Sequence, residues 1–179
     1  MTNSRITSLG NYQFKSNYLN NAVVQNGIAY LAAGEQGVFL IDVKNPSTPK
    51  LLQQLDISGY VYDVVIVGKT AFLASENEGL KIVDVSTPTQ SKILTTFTDS
   101  IVNLQTIAVA NNMAYLADWE NGLFIVDVSN ITSPNLLATL PISSAILIMK
   151  SSGRRNRYFK TFEHKFEHLS PIVKANISS

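Results

Sequence analysis

His164-Lys165-Phe166-Glu167-His168 has the form H-x-x-E-H. In one class of zinc proteases that spacing puts two imidazoles on one helix face with a glutamate beside them as base. A catalytic zinc needs a third protein ligand. None is visible in the eleven residues that follow, so the sequence argues against a hydrolase and assigns no metal or cofactor. Arg154, Arg155 and Arg157 with Tyr158 and Phe159 form a small basic-aromatic patch of the nucleic-acid kind. A solvated basic tail is the simpler reading, and no nucleic-acid partner is assigned. Asn130-Ile131-Thr132 and Asn176-Ile177-Ser178 match the glycosylation acceptor, which carries weight only in an exported chain.

Two further sets recur along the chain. Asp42, Asp84 and Asp127 each precede a turn rich in Ser, Asn or Pro. A carboxylate there can accept backbone N–H bonds, which makes these aspartates turn residues rather than metal ligands. Glu35, then Glu76 and Glu78, then Asp118 and Glu120 with Trp119 between them, occupy corresponding loops. Together they predict an acidic patch with an aromatic anchor, suited to a cationic or protein partner. The plain alternative is a set of solvated loops.

The elements that position these loops come from a repeat. Ile28-Ala29-Tyr30-Leu31-Ala32, Thr70-Ala71-Phe72-Leu73-Ala74 and Met113-Ala114-Tyr115-Leu116-Ala117 align. Each is followed by a glycine (Gly37, Gly79, Gly122) and an apolar run ending in Asp-Val. The Asp42-to-Asp84 and Asp84-to-Asp127 spacings are 42 and 43 residues. Pro46 matches Pro88, and Pro49 matches Pro134. Leu51-Leu52, Ile93-Leu94 and Leu136-Leu137 then correspond.

Each unit reads as four short strands. In the second they are Val61–Val67, Thr70–Ser75, Leu80–Val85 and Lys92–Phe97, rich in β-branched and aromatic residues and bounded by turn formers. The third strands, such as Leu123-Phe124-Ile125-Val126, are apolar at both parities, with Lys81 the exception. Such strands belong to sheets buried on both faces. The fold expected is all-β: a partial β-propeller of three four-stranded antiparallel blades of about 42 residues, over residues 9–144.

Val38-Phe39-Leu40-Ile41-Asp42, Leu80-Lys81-Ile82-Val83-Asp84 and Leu123-Phe124-Ile125-Val126-Asp127 resemble the LVIVD-repeat family. The flanking Ala-Tyr-Leu-Ala and Asn-Pro-Ser-Thr-Pro runs also fit. The resemblance implies propeller blades, often found in bacterial and archaeal cell-surface proteins, with no enzymatic activity assigned to the repeat and no catalytic motif to carry over.

Beyond Pro141 the repeat register is lost. Ala145-Ile146-Leu147-Ile148 has the character of a fourth first strand, but Lys150 to Arg157 does not continue the pattern. Residues 1–149 carry seven basic and eleven acidic groups, and residues 150–179 seven basic and two acidic, so the sign of the charge changes where the repeat stops. Residues 145–179 read either as truncated or frame-shifted sequence or as an ordinary basic tail.

With 45% apolar and 15% charged residues, the composition suits a packed core. The absence of cysteine excludes disulfides and thiolate metal sites. No run approaches a membrane span or a signal-peptide core, although the family resemblance points to the cell surface. The reading is a non-catalytic binding module, part of a larger repeat protein, with an unknown protein or surface ligand. A metal-dependent hydrolase and a gene remnant are the alternatives. Three blades leave two apolar terminal faces, so self-association through them is expected.

Overall fold

Each repeat unit folds as one antiparallel meander. The computed structural model describes residues 8–13 and 18–141. The first sheet runs β1 (Asn21–Gln25), β2 (Ile28–Ala32), β3 (Val38–Asp42), β4 (Lys50–Leu55). The second runs β5 (Val61–Val67), β6 (Thr70–Ser75), β7 (Leu80–Asp84), β8 (Lys92–Phe97). The third runs β9 (Leu104–Ala110), β10 (Met113–Asp118), β11 (Gly122–Asp127), β12 (Asn135–Leu140). Within each sheet, spatial order equals chain order, so each blade is a contiguous stretch of sequence.

Turn chemistry sets these boundaries. Asn26 and Gly27 join β1 to β2 with φ of 51° and 74°. Left-handed backbone at both positions gives the hairpin turn whose twist matches the strands. The glycine after each second strand has a different cause. Gly37 and Gly79 have φ of 72° and 77°, and a Cβ there would collide with the carbonyl oxygens of Leu55 and Phe97 at the ends of the fourth strands. Only glycine allows that approach.

Central strands are buried on both faces, as their composition requires. Val38, Phe39, Leu40 and Ile41 of β3 are all buried, and so are Leu80 to Val83 of β7 and Leu123 to Val126 of β11. The two faces serve different neighbours. Tyr30, Ala32, Val38 and Leu40 of the first blade meet Val61, Val64, Leu73 and Val83 of the second. Phe72, Leu80 and Ile82 of the second meet Leu104, Leu116, Phe124 and Val126 of the third. Tyr30 pairs with Leu40, Phe72 with Ile82 and Tyr115 with Ile125 across their strands, so the repeat alignment holds in three dimensions. Each side chain of this size adds ~1.5–3 kcal/mol when fully buried, so the blade interfaces form the core.

First strands lie innermost. β5 packs against β1 on one side and β9 on the other. β5 and β9 carry a bulge near their start, where Tyr62 and Gln105 have no opposite number in the ladder. The bulge restores the inward phase, so Val61 and Val64 both face the first blade.

The outer face of the first blade is covered, contrary to the expectation of a bare terminal face. Phe39 and Ile41 point away from the second blade yet are buried, and Tyr12 packs against them. The chain before β1 also passes the β3–β4 loop so closely that a Cβ on Gly10 would strike the Pro46 carbonyl. On the third blade, Tyr115, Leu123 and Ile125, opposite in parity to the residues that meet the second blade, are buried as well. Residues 142–179, including the H-x-x-E-H motif, the arginine patch and Asn176, lie outside the described residues.

Candidate ligand-binding face

Alternate turns of a meander fall at alternate ends of the blade. The β2–β3, β6–β7 and β10–β11 turns and the β4–β5 and β8–β9 links share one end. The β1–β2 type hairpins and the β3–β4 type loops share the other. The acidic loop residues therefore gather at the first end, and Asp42, Asp84 and Asp127 at the second.

At the second end the three aspartates do the same work. Oδ1 of Asp42 accepts the Lys44 N–H at 2.9 Å, that of Asp84 the Ser86 N–H at 2.8 Å, and that of Asp127 the Ser129 N–H at 2.8 Å. These bonds close the turn that ends each third strand. Hydrogen bonds from Ser86 hold the Asp84 carboxyl below its ordinary range, and bonds from Ser129 do the same for Asp127. Lys69 and Lys92 lie close enough to Asp84 to favour its ionised form further.

At the first end the acidic residues divide. Glu35, Trp119 and Glu120 are exposed, Trp119 at 54%. Glu78 is half-buried and engaged: it accepts from Ser58 Oγ at 3.2 Å and pairs with Lys81 at 3.5 Å. Lys81 is 4% exposed and faces the first blade, at the position held by Phe39 and Phe124 in the other two.

Asp118 does not belong to a binding patch. It is 6% exposed, and its two oxygens accept four backbone N–H groups: Glu120 and Asn121 on Oδ1, Val102 and Asn103 on Oδ2. A carboxylate so occupied has no capacity left for a ligand. Its place in the repeat is that of Ala33 and Ser75, which are also buried.

Two features escaped the sequence reading. The first is Asp63, 6% exposed on β5. Its Oδ2 accepts from Thr106 Oγ1 at 2.7 Å and from the Ile107 N–H at 3.0 Å, both on β9. Its Oδ1 accepts from the Val64 N–H at 2.9 Å and from Asn21 Nδ2 on β1. One buried carboxylate thus joins all three blades near the axis. Asn21, Asp63 and Thr106 stand 42 and 43 residues apart, the repeat spacing itself.

The second is a set of rings at the mouth of the axis. Tyr18, Tyr60 and Asn103 occupy one repeat position, and Asn20, Tyr62 and Gln105 the position two residues on. The Tyr60 and Tyr62 rings are 4.6 Å apart at 45°, and Tyr18 lies 6.4 Å from Tyr60. Tyr62 donates its hydroxyl to Glu76 Oε1 at 3.4 Å. Burial, then the Glu76 charge, push the Tyr62 phenol above its usual value. Tyr60 lies over Gly34, where a Cβ would come within 2.8 Å of the ring.

Among the described residues no group of three or more His, Cys, Asp or Glu side chains converges as a metal-ligand set. These residues include no histidine or cysteine, so they offer no imidazole base or thiol nucleophile. Their arrangement is suited to recognition by charge and aromatic surface.

The model of the LVIVD repeat family matches residues 18–56, 58–99 and 103–140, one match per blade. No curated protein matches. Among solved structures, the fold is similar to the computationally designed Ika4 protein (TM-score 0.60, 14% identity, 76% of this chain and 80% of that one). It is also similar to the designed Ika8 protein (TM-score 0.53, 15% identity, 67% and 35%). A chain in the crystal structure of the mitotic checkpoint complex is a third (TM-score 0.52, 14% identity, 80% and 50%). The chain thus spans most of Ika4, but about a third of Ika8 and half of the third structure. At these identities the likeness is one of fold alone.

Proposed function

The chain belongs to the LVIVD-repeat family, and on that premise we propose that it is a non-catalytic binding module that presents a protein or surface ligand with its acidic, aromatic end. The observation that carries this is the contrast between the two ends. At one, Asp42, Asp84 and Asp127 serve their own turns. At the other, Glu35, Trp119 and Glu120 remain exposed on turns held by buried blades. A large aromatic side chain among carboxylates on a rigid frame is a favourable anchor for a protein partner.

The test is site-specific photo-crosslinking in cells that make the protein. A photoreactive residue replaces Glu35 or Trp119 at one end, and Ser47 or Thr132 at the other. A discrete adduct from positions 35 and 119 only is the expected result. Adducts from positions 47 and 132 only, or none from either end, would overturn the proposal.

A further inference from the structure

We infer that the mouth of the axis binds a cationic side chain, an arginine or lysine of a partner peptide, against the Tyr60–Tyr62 pair with Glu76 as its counter-ion. This deepens the binding reading above and rests on it.

The rings come first. Tyr60 and Tyr62 are 4.6 Å apart and tilted by 45°, with Tyr18 beyond Tyr60 at 6.4 Å. Tilted rings present π faces from two directions, the arrangement that attracts a cation to within about 6 Å of a centroid. Their positions are fixed by the fold. The absent side chain of Gly34 leaves room for Tyr60 from the first blade. Tyr62 sits at the β5 bulge and packs in part against the interface with the third blade.

The charge comes second. Glu76 reaches the pair through the Tyr62 hydroxyl at 3.4 Å. Among the described residues the only ion pair is Lys81 with Glu78, so no described cation neutralises Glu76. Glu76 holds the left-handed backbone, φ 42°, at the position where the first blade has Gly34 at φ 59°. Both residues bridge to the next blade, Gly34 to Val61 and Glu76 to Leu104. The bridge accepts glycine without cost, whereas a side chain there works against the backbone preference. The second blade nonetheless carries a carboxylate, and it lies beside the rings.

A cation is favoured over a neutral ligand by its surroundings. Glu35 and Glu120 lie at this end, and Asp56 and Asp99 on its two links, all exposed. Among the described residues the one lysine at this end, Lys81, is buried and paired. The field there draws positive charge from solution.

The experiment titrates the full chain with an acetylated triarginine amide and with its citrulline counterpart, which keeps the shape and loses the charge. NMR shifts of tyrosine ring protons report the site. Saturable binding of the arginine peptide, about tenfold tighter than the citrulline one, is expected. Glu76→Gln and Tyr60→Ala each weaken it by about fivefold, and Tyr60→Phe retains it. Ser47→Ala, exposed at the opposite end of the blades, leaves it unchanged. Equal binding of the two peptides overturns the inference, as does an unaltered affinity in Glu76→Gln, a variant that keeps the volume of the side chain. If Tyr60→Ala does not fold, the Glu76→Gln result decides. Crosslinks from this end without arginine binding would sink this inference and leave the proposed function standing. Arginine binding with partner crosslinks only from the opposite end would do the reverse.

Discussion

Thr106 of the third blade donates its hydroxyl to Oδ2 of Asp63 in the second at 2.7 Å, a part-buried bond to a carboxylate that is itself 6% exposed. Removing the carboxylate strands this hydroxyl and the Ile107 and Val64 N–H groups beside it. A buried donor left without a partner costs about 1–3 kcal/mol. Asp63→Ala is therefore expected to lower unfolding stability by about 3 kcal/mol in urea titrations. Thr106→Val should cost about 1 kcal/mol, and a double-mutant cycle should show the two as coupled. Additive losses would mean the bond contributes nothing.

Phe72 is 3% exposed between the second and third blades, paired with Ile82. Truncation of such a ring costs roughly 3–5 kcal/mol. Phe72→Ala should lose that much in chemical denaturation. An unchanged midpoint would contradict the packing.

Lys81 is the reverse case. It holds a charge in the interface with the first blade, at the repeat position occupied by Phe39 and Phe124 in the other units, with a single half-exposed partner. An apolar residue of similar volume often replaces a buried ion without loss, and with gains of about 1–4 kcal/mol at best. Lys81→Met should raise the melting temperature or leave it unchanged. A clear fall would show that Lys81 holds the seam through its charge.

Asp118→Ala and Glu120→Ala separate turn from surface. Asp118→Ala leaves four N–H groups without their acceptor and is expected to cost about 2 kcal/mol or more. Glu120→Ala, at an exposed site, should stay within about 0.5 kcal/mol. Equal effects in thermal melts would refute the distinction.

The pH profile should fall at both extremes. Hydrogen bonds from Ser86 and Ser129 hold Asp84 and Asp127 below the ordinary carboxyl value of 3.8 in the folded state. Their contribution is present above the unfolded value and is lost as pH falls through the folded one. Tyr30 and Tyr115 are raised above 10.0 by burial. That contribution is complete below pH 10.0 and is lost as pH rises through the folded value. Absorbance titration at alkaline pH should show a late tyrosine fraction in the folded protein, merging with the rest in denaturant.

Strand positions were legible because the repeat states them three times. In the second unit three of the four expected strands match the observed bounds, and the other, β7, stops one residue short of Val85. There the Asp84 carboxylate takes the Ser86 N–H, and Val85 bonds back to the Lys69 carbonyl. The roles of the acids were harder to read. Asp118 stands beside Trp119 and Glu120 in a polar run, and nothing local shows that its carboxylate turns inward. The signal lay in Ala33 and Ser75, small residues at the equivalent positions. Asp63 interrupts an apolar strand, and its partners lie a full repeat away on either side. Reading Asn21, Asp63 and Thr106 as one column would have exposed it. The tyrosine pair was missed for another reason: the bulge at Tyr62 breaks the alternation from which facing residues are inferred.

Each blade closes within its own stretch of chain, with no strand borrowed from another unit. Its hydrogen-bond ladders therefore form between residues near in sequence, where loop-closure entropy is small. A blade emerging from a ribosome holds all of its strands before the next has been made. Docking can then proceed one interface at a time, with Asp63 reaching back to Asn21 before Thr106 arrives. Adding or removing one unit during evolution would leave every remaining ladder whole, because unit boundaries fall in the links between β4 and β5 and between β8 and β9.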